Sequence, residues 1–498
     1  MAGDAVKAAA EAPPAPILLD LVGRAPINRI AVLAAALSAV LVFANALANG
    51  FVLDDRGVIL GNPLVTAPAS AWRAFTQPYW PEAIGGGQYR PLGILSFALD
   101  WSISGGDPRW FHAVNVMWHA AATVLVWVLA AELLAPVGAA IAALVFAVHP
   151  VHVEAVSNVV GRLEPMAAVF ALAALLAHRR GSRVAPLWFA LGLLSKESAV
   201  VLIGLVAAND LVLEKDWRTT VRARRWLYAG YGGVVLAYAA LLAVVFREQA
   251  IANPARAFTG ATTVERLGIV ASVIPHYVRL LIAPADLSAS YAPNVISPAP
   301  GISVERAVGI ALLVGGMAGV GMVAARRRWP VMAFALLWVP IALAPVSNVL
   351  FESGVVLAER TLYLASVGAC LALGMAVARM GEIRSIVVAG VAATIIVAFA
   401  ARTWTRTPAW RDDRTYVLTL LEAHPESYEA HLTAGRVLAG ANALNEADRE
   451  LAIARRIFPR DALIFREAAG VAERQGQPAR AAALRDSARI AHRLPLPR

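Results

Sequence analysis

Asp54 and Asp55 stand side by side in Phe51-Val52-Leu53-Asp54-Asp55-Arg56, directly after an apolar block. Adjacent carboxylates at a membrane exit are costly unless hydrated or paired, and each raises the other's pKa. Such a pair suits a general base, with or without a metal ion; a solvated helix end is the structural alternative. Arg90, in Gln88-Tyr89-Arg90-Pro91, precedes a proline and so stands outside a regular helix. There its guanidinium can grip a phosphate through two N–H donors. His112, Asn115 and His119 are three and four residues apart and share one helix face. That stripe suits a wet cavity or hydrogen bonds between helices.

The densest polar run is His149-Pro150-Val151-His152-Val153-Glu154, followed by Asn158 and Gly161-Arg162-Leu163-Glu164. His149, His152 and Glu154 are candidate zinc ligands, but they lack the helical His-Glu-x-x-His spacing of zinc enzymes, so a metal is not favoured. Lys196 and Glu197, and Glu359 and Arg360 beside Tyr363, add two more charged pairs. Lys196 and Arg360 are further cations for a phosphate, while Glu359–Arg360 also reads as a structural ion pair. Carboxylates, imidazoles and cations together form the inventory that transfer from a lipid-phosphate glycosyl donor needs. Cations balance the leaving phosphate, one carboxylate takes the acceptor's proton, and the sugar passes through an oxocarbenium-like state.

These residues must be positioned by a chain that is 59% hydrophobic and only 16% charged, against roughly a quarter for soluble domains. Apolar segments fall at 29–49, 111–133, 137–150, 165–178, 184–195, 198–213, 226–246, 305–325, 330–350, 361–379 and 385–403. The expectation is an all-α polytopic membrane protein with about eleven transmembrane helices. Arginine and lysine crowd three short loops, at 179–183, 215–225 and 326–328. The positive-inside bias puts all three in the cytoplasm. An even number of crossings must then join the second loop to the third, so 262–283 is expected to lie on the outer surface or re-enter. The N-terminus is expected in the cytoplasm, the C-terminus in the periplasm, and the membrane is the inner one. Nearly all the polar candidates then share the outer face.

The net charge of +10 is concentrated in those loops, with no basic stripe interleaved with aromatics, which argues against nucleic acid. The lone cysteine, Cys370, reads as a packing residue. Ala44, Ala46 and Ala48 resemble a signal-peptidase site, but the block is long and follows an extended leader, so an uncleaved helix is preferred. After 403 the pattern turns soluble and helical. Pro425 and Pro459 are 34 residues apart, the tetratricopeptide period, with Gly435, Ala447 and Ala454 at its small-residue positions. A second unit from about 461 keeps Ala481 and Ala488. Three parts are expected: a cytoplasmic leader 1–28, a membrane domain 29–403, and periplasmic helical repeats 404–498 that lean on it.

Several short motifs follow one another in a familiar order. They are Asp54-Asp55, Tyr89-Arg90-Pro91-Leu92, Phe111-His112 with Asn115 and His119, His149-Pro150-x-His152-x-Glu154, Gly161-Arg162, Leu194-Ser195-Lys196-Glu197, Asn253-Pro254-Ala255, Ser347-Asn348 and Ala358-Glu359-Arg360-x-Leu362-Tyr363. With the repeat tail they resemble the transmembrane and tetratricopeptide-repeat-containing O-mannosyltransferases, across nearly the whole chain. Leu163 stands where that family commonly has a small residue, and Ala365 where it has proline. The resemblance implies the C-type glycosyltransferase fold and an outer-face site. It implies a polyprenyl-phosphate-sugar co-substrate, mannose being the family's sugar, and a protein Ser/Thr acceptor. It also implies inversion, often without metal. The base role falls on Asp54 or Asp55. Donor contacts fall on Arg90, His149, His152, Glu154, Arg162, Lys196, Glu197, Glu359 and Arg360, with Tyr89, His112, Asn115 and His119 in support. The short repeat tail leaves an envelope glycan or lipid acceptor as an alternative. A transporter or flippase, or a membrane-anchored scaffold, are the non-enzymatic alternatives.

Overall fold

The computed structural model describes residues 26–81, 87–247, 258, 261–291, 295–296, 303–326, 329–349 and 352–491. The leader up to residue 25, Asn253-Pro254-Ala255 and Arg327-Arg328 lie outside them. The chain is all helical in its main elements: α1 (Pro26–Val42), α2 (Pro91–Ser104), α3 (Pro108–Leu133), α4 (Pro136–Val148), α5 (Leu163–Arg179), α6 (Ala185–Ser195), α7 (Leu202–Ala208), α8 (Arg225–Val245), α9 (Thr263–Ile282), α10 (Val304–Arg326), α11 (Pro330–Leu343) and α12 (Leu362–Arg406). The tail adds α13 (Asp413–Ala423), α14 (Tyr428–Gly440), α15 (Leu444–Ile457), α16 (Ala462–Arg474) and α17 (Pro478–Ile490). Pro91, Pro108, Pro136 and Pro330 each open a helix, where a missing N–H costs nothing.

The protein is membrane-embedded. Among the described residues seven helices are long and apolar enough to cross a membrane, or eight if the bent pair Pro136–Val148 and Pro150–Ser157 is one broken span. All eleven expected apolar segments are present, but not all as full spans. At 11 residues α6 reaches only about 16 Å, and 197–213 breaks into 3-10, α and π pieces. Irregular pieces of this kind are tolerated at membrane depth only where neighbouring helices shield their backbone. Helix α9 is not among the spanning helices; Glu265, Arg266 and Arg279 interrupt its apolar surface.

The helical run α12 covers 45 residues, which would reach about 67 Å if straight. Yet both its ends meet one turn. Tyr363 and Ser366 pack on His152, at 4.6 Å between rings and 2.9 Å from Oγ to Nε2. From the other end, Phe399 lies 4.8 Å from the His149 ring and Thr403 Oγ1 donates to Val148 O at 2.7 Å. The helical run therefore folds back on itself and supplies two spans, Glu359–Met380 and Ile386–Trp410. The first packs on α4 through glycines. A Cβ on Gly374 would stand 2.3 Å from the Gly138 carbonyl oxygen, so the backbones touch where only small residues fit.

The tail is more regular than its sequence. Helices α14–α15 and α16–α17 are two hairpins whose first helices begin 34 residues apart. They do not stand alone. Trp410, Tyr416, Val417, Leu420, Ala430 and Ala434 join the core of the membrane domain, while α15 to α17 close a separate core around Leu451, Phe458 and Ile464.

Candidate functional site

The loop after α1 is stitched to the stretch where α12 passes into α13. Asn49 Nδ2 donates to Thr407 O at 3.3 Å, and Gly50 N to Arg411 O at 2.8 Å. Asp413 accepts from Leu53 N at 2.9 Å and pairs with Arg56 at 2.9 Å. Leu53 has a φ of 45°, a left-handed conformation that side chains rarely adopt, and the Asp413 clamp holds it there. The next residue is Asp54.

The acidic pair divides its roles. Asp55 is buried and accepts backbone N–H donors from Val52 at 3.0 Å and Val160 at 2.9 Å. Loss of hydration pushes its pKa up to about 7 in spite of those donors. It fastens the loop to the 159–162 turn. Asp54 is exposed and, among the described residues, makes no hydrogen bond or ion pair. Its pKa is nonetheless raised, because surrounding protein removes hydration faster than the Arg360 and Arg436 charges restore stability to the anion. An accessible carboxylate with that much protein around it lines a recess.

Three cations share the recess, each steadied by its own carboxylate. Arg90 Nε donates to Glu197 at 2.9 Å and stacks over the Tyr79 ring at 5.3 Å. Burial works against both charges, but the pairing wins: the guanidinium is raised and the Glu197 carboxyl is held at about 2. Lys196 pairs with Glu164; burial lowers its pKa against that carboxylate's pull. Arg360 pairs with Glu154, which also accepts its backbone N–H at 2.8 Å. A pair of this kind leaves further N–H donors on each cation. The Tyr79 hydroxyl, buried and without a hydrogen-bond partner among the described residues, lies in the field of Arg90 and Asp54. Tyr416 of α13 feels Glu154, Asp54 and Arg360, so the lead-in to the repeats forms one wall.

The other sequence candidates are brought close but turned inward. Arg162 is fully buried and its guanidinium is used up, on Asp100, Asn115 Oδ1 at 2.6 Å, Ser96 Oγ at 2.9 Å and Phe111 O at 2.8 Å. Arg162, expected as a donor contact, here locks α2 to α3. Asn115 Nδ2 gathers the carbonyls of Val156, Asn158 and Val159. Gly161 permits this turn, since a Cβ there would lie 2.6 Å from Glu154 O. His112 contacts Gly50 O at 3.3 Å, and His119 bridges Tyr363 Oη at 2.7 Å and Ala147 O at 3.0 Å. His149 reaches Leu281 O at 3.2 Å. Together with His152 these imidazoles pack as buried rings. Glu359 is buried too, accepting from Ser288 N at 2.6 Å and Tyr291 Oη at 2.7 Å, and is not paired with Arg360. Tyr89 donates to Phe75 O at 2.9 Å. Among the described residues no three His, Cys, Asp or Glu side chains converge as metal ligands would.

Sequence reasoning passed over Tyr79, Asp100 and Asp413, and gave Glu164 no role. Glu164 was within the densest polar run; Asp413 carries no local signal, because its partners lie 360 residues away.

Fold and site define a polytopic helical membrane protein with a charged recess at one end and tetratricopeptide-like hairpins beside it. The resemblance carried by the motifs is borne out. The chain is 26% identical over 421 residues to the Caenorhabditis elegans protein O-mannosyl-transferase F38B6.6, which spans 82% of this chain and 60% of that protein. It is 28% identical over 369 residues to human protein O-mannosyl-transferase TMTC3, 66% of this chain and 40% of the relative. Human TMTC4 is 26% identical over 468 residues, 80% and 63% respectively. The chain thus spans about half of these relatives' length. No family model matches the sequence, and no solved structure matches the fold.

Proposed function

We propose that this protein is a glycosyltransferase that moves a sugar, mannose by analogy with its relatives' names, from a polyprenyl-phosphate donor to a protein Ser/Thr hydroxyl. The work takes place at the periplasmic face of the inner membrane, with the N-terminus cytoplasmic and the repeats periplasmic. The observation that carries the reading is Asp54: an accessible carboxylate with no hydrogen bond or ion pair among the described residues, in the field of Arg360, which Lys196 and Arg90 adjoin in turn. Asp54 takes the acceptor's hydroxyl proton as the oxygen attacks the anomeric carbon. The bond from that carbon to the phosphate oxygen breaks, and the lipid phosphate leaves with its charge met by Arg360, Lys196 and Arg90. Glu154, Glu164 and Glu197 aim those cations. Attack opposite the leaving group inverts the anomeric centre. The nearness of Tyr416 in α13 to Asp54 and Arg360 supports an acceptor arriving from the side of the repeats.

The test is transfer of radiolabelled mannose from polyprenyl-phosphate-mannose to periplasmic protein by the full chain in proteoliposomes. Asp54→Asn should lower the rate by about 10²–10⁴ while the protein still folds. Undiminished transfer by that variant would sink the reading.

A further inference from the structure

A second polar cavity, of about 670 Å³, lies where α9, the connection after it, the end of α12 and α13 meet. None of the recess residues lines it. Arg402 and Arg406 project into it from successive turns of α12, and Arg279 and His276 face them from α9. Arg406 is only 8% exposed, yet among the described residues it makes no hydrogen bond or ion pair, and its Nε is buried without an acceptor. Arg402 spends one N–H on Ala285 O at 2.7 Å and has no carboxylate in contact. The acids nearby are engaged elsewhere or stand apart. Asp286 pairs with Arg279 and Glu426 with His424; the Glu359 carboxylate lies in the field of Arg406 but is held by Ser288 and Tyr291 and makes no ion pair with it. Among the described residues Glu422 is the one acid lining the cavity with no hydrogen bond or ion pair.

A buried guanidinium without an acceptor, as at Arg406, is expensive, and the like charge of Arg402 one turn away repels it. An anion between them removes both costs. We infer that this cavity is a binding site for a phosphate group, separate from the recess, with Arg402 and Arg406 as its ligands. A phosphate oxyanion offers enough oxygens to be shared by two forked guanidiniums. The cavity has room for the phosphate and an attached polar substituent. Its place, at the outer end of the last span and beside the exposed apolar side chains Val278 and Ile282 of α9, is where a lipid headgroup would present one.

The full chain in phospholipid-free detergent is titrated with dihexanoyl phosphatidic acid, with inorganic pyrophosphate and with dihexanoylglycerol, which has no phosphate. Wild type should bind a phosphate probe saturably. Arg402→Gln and Arg406→Gln should each weaken that binding about tenfold, and Arg406→Lys should recover part of it. In a chain that already carries Arg90→Gln, which removes part of the recess's own grip on phosphate, the binding that depends on Arg402 and Arg406 should persist. Preference for the phosphatidic acid assigns the site to a lipid headgroup; preference for pyrophosphate assigns it to a soluble phosphate. Equal binding of dihexanoylglycerol, no saturable binding by wild type, or a loss that follows Arg90 and not Arg402 and Arg406 overturns the inference. If Arg406→Gln does not fold, Arg402→Gln carries the same comparison from the half-buried wall.

Discussion

The molecule has a polar knot at each end of its bundle, and the two are built alike in composition but not in accounting. At the end away from the recess, Asp210 accepts from Arg224, from Tyr228 Oη at 2.8 Å, from Asn209 at 3.0 Å and lies 3.1 Å from His178 Nε2. Glu132 is shared by Arg179, at 2.8 Å, and Arg180. Both carboxylates there are consumed in joining α3, α5, the 209–213 turn and α8. In the recess the same residue types occur, but Asp54 is left over. Charge density between spans is therefore a poor marker of chemistry by itself; an accessible carboxylate that the fold does not use is a better one.

The sharpest way to break this contrast is to remove one carboxylate from each end. Asp54→Asn should cost about 10²–10⁴ in transfer rate with thermal stability unchanged. Asp210→Asn should do the reverse, leaving Arg224 and His178 short of a partner and costing roughly 3–5 kcal/mol of stability, with transfer per folded molecule preserved; denaturation midpoints and specific activity separate the two. Arg360→Gln should reduce transfer by tens of fold, about 2–3 kcal/mol, chiefly through the leaving phosphate, measured as kcat/KM for the donor. Asp413→Asn, which slackens the loop bearing Asp54 without touching substrate, should lower kcat by about tenfold with donor KM held. The pH profile sharpens the assignment further. Asp54 must be ionised to act, and its pKa is raised by burial. Activity should fall on acidification at a midpoint above the ~3.9 of a free aspartate, and Asp54→Glu should move that midpoint.

Much of this was readable in the residues. The apolar segments at 226–246 and 305–325 match helices Arg225–Val245 and Val304–Arg326 within a residue, and counting charged loops was enough to keep 262–283 out of the spans. The periodic apolar pattern carries that information locally. Facing does not. Arg162 and Arg360 look equivalent in the sequence, each a cation in a polar connector; one is sealed beneath Phe97 and Phe111 and the other is a third exposed. Asp54 and Asp55 differ only because two backbone amides point at the second. The fold-back of α12 and the Asp413 clamp arise between segments far apart in the chain, and no window of sequence contains them.

That clamp also decides where the protein can be cut. Residues 404–413 resemble a linker between an anchor and an accessory module, yet they splint the loop on which the proposed base rides. Removing everything from 404 onward would silence a transferase and a scaffold alike. A truncation that begins after Phe458 keeps the splint and the first hairpin and takes away the second. Swapping repeats between relatives should respect the same frontier, with the exchange point inside the tail rather than at the membrane's edge.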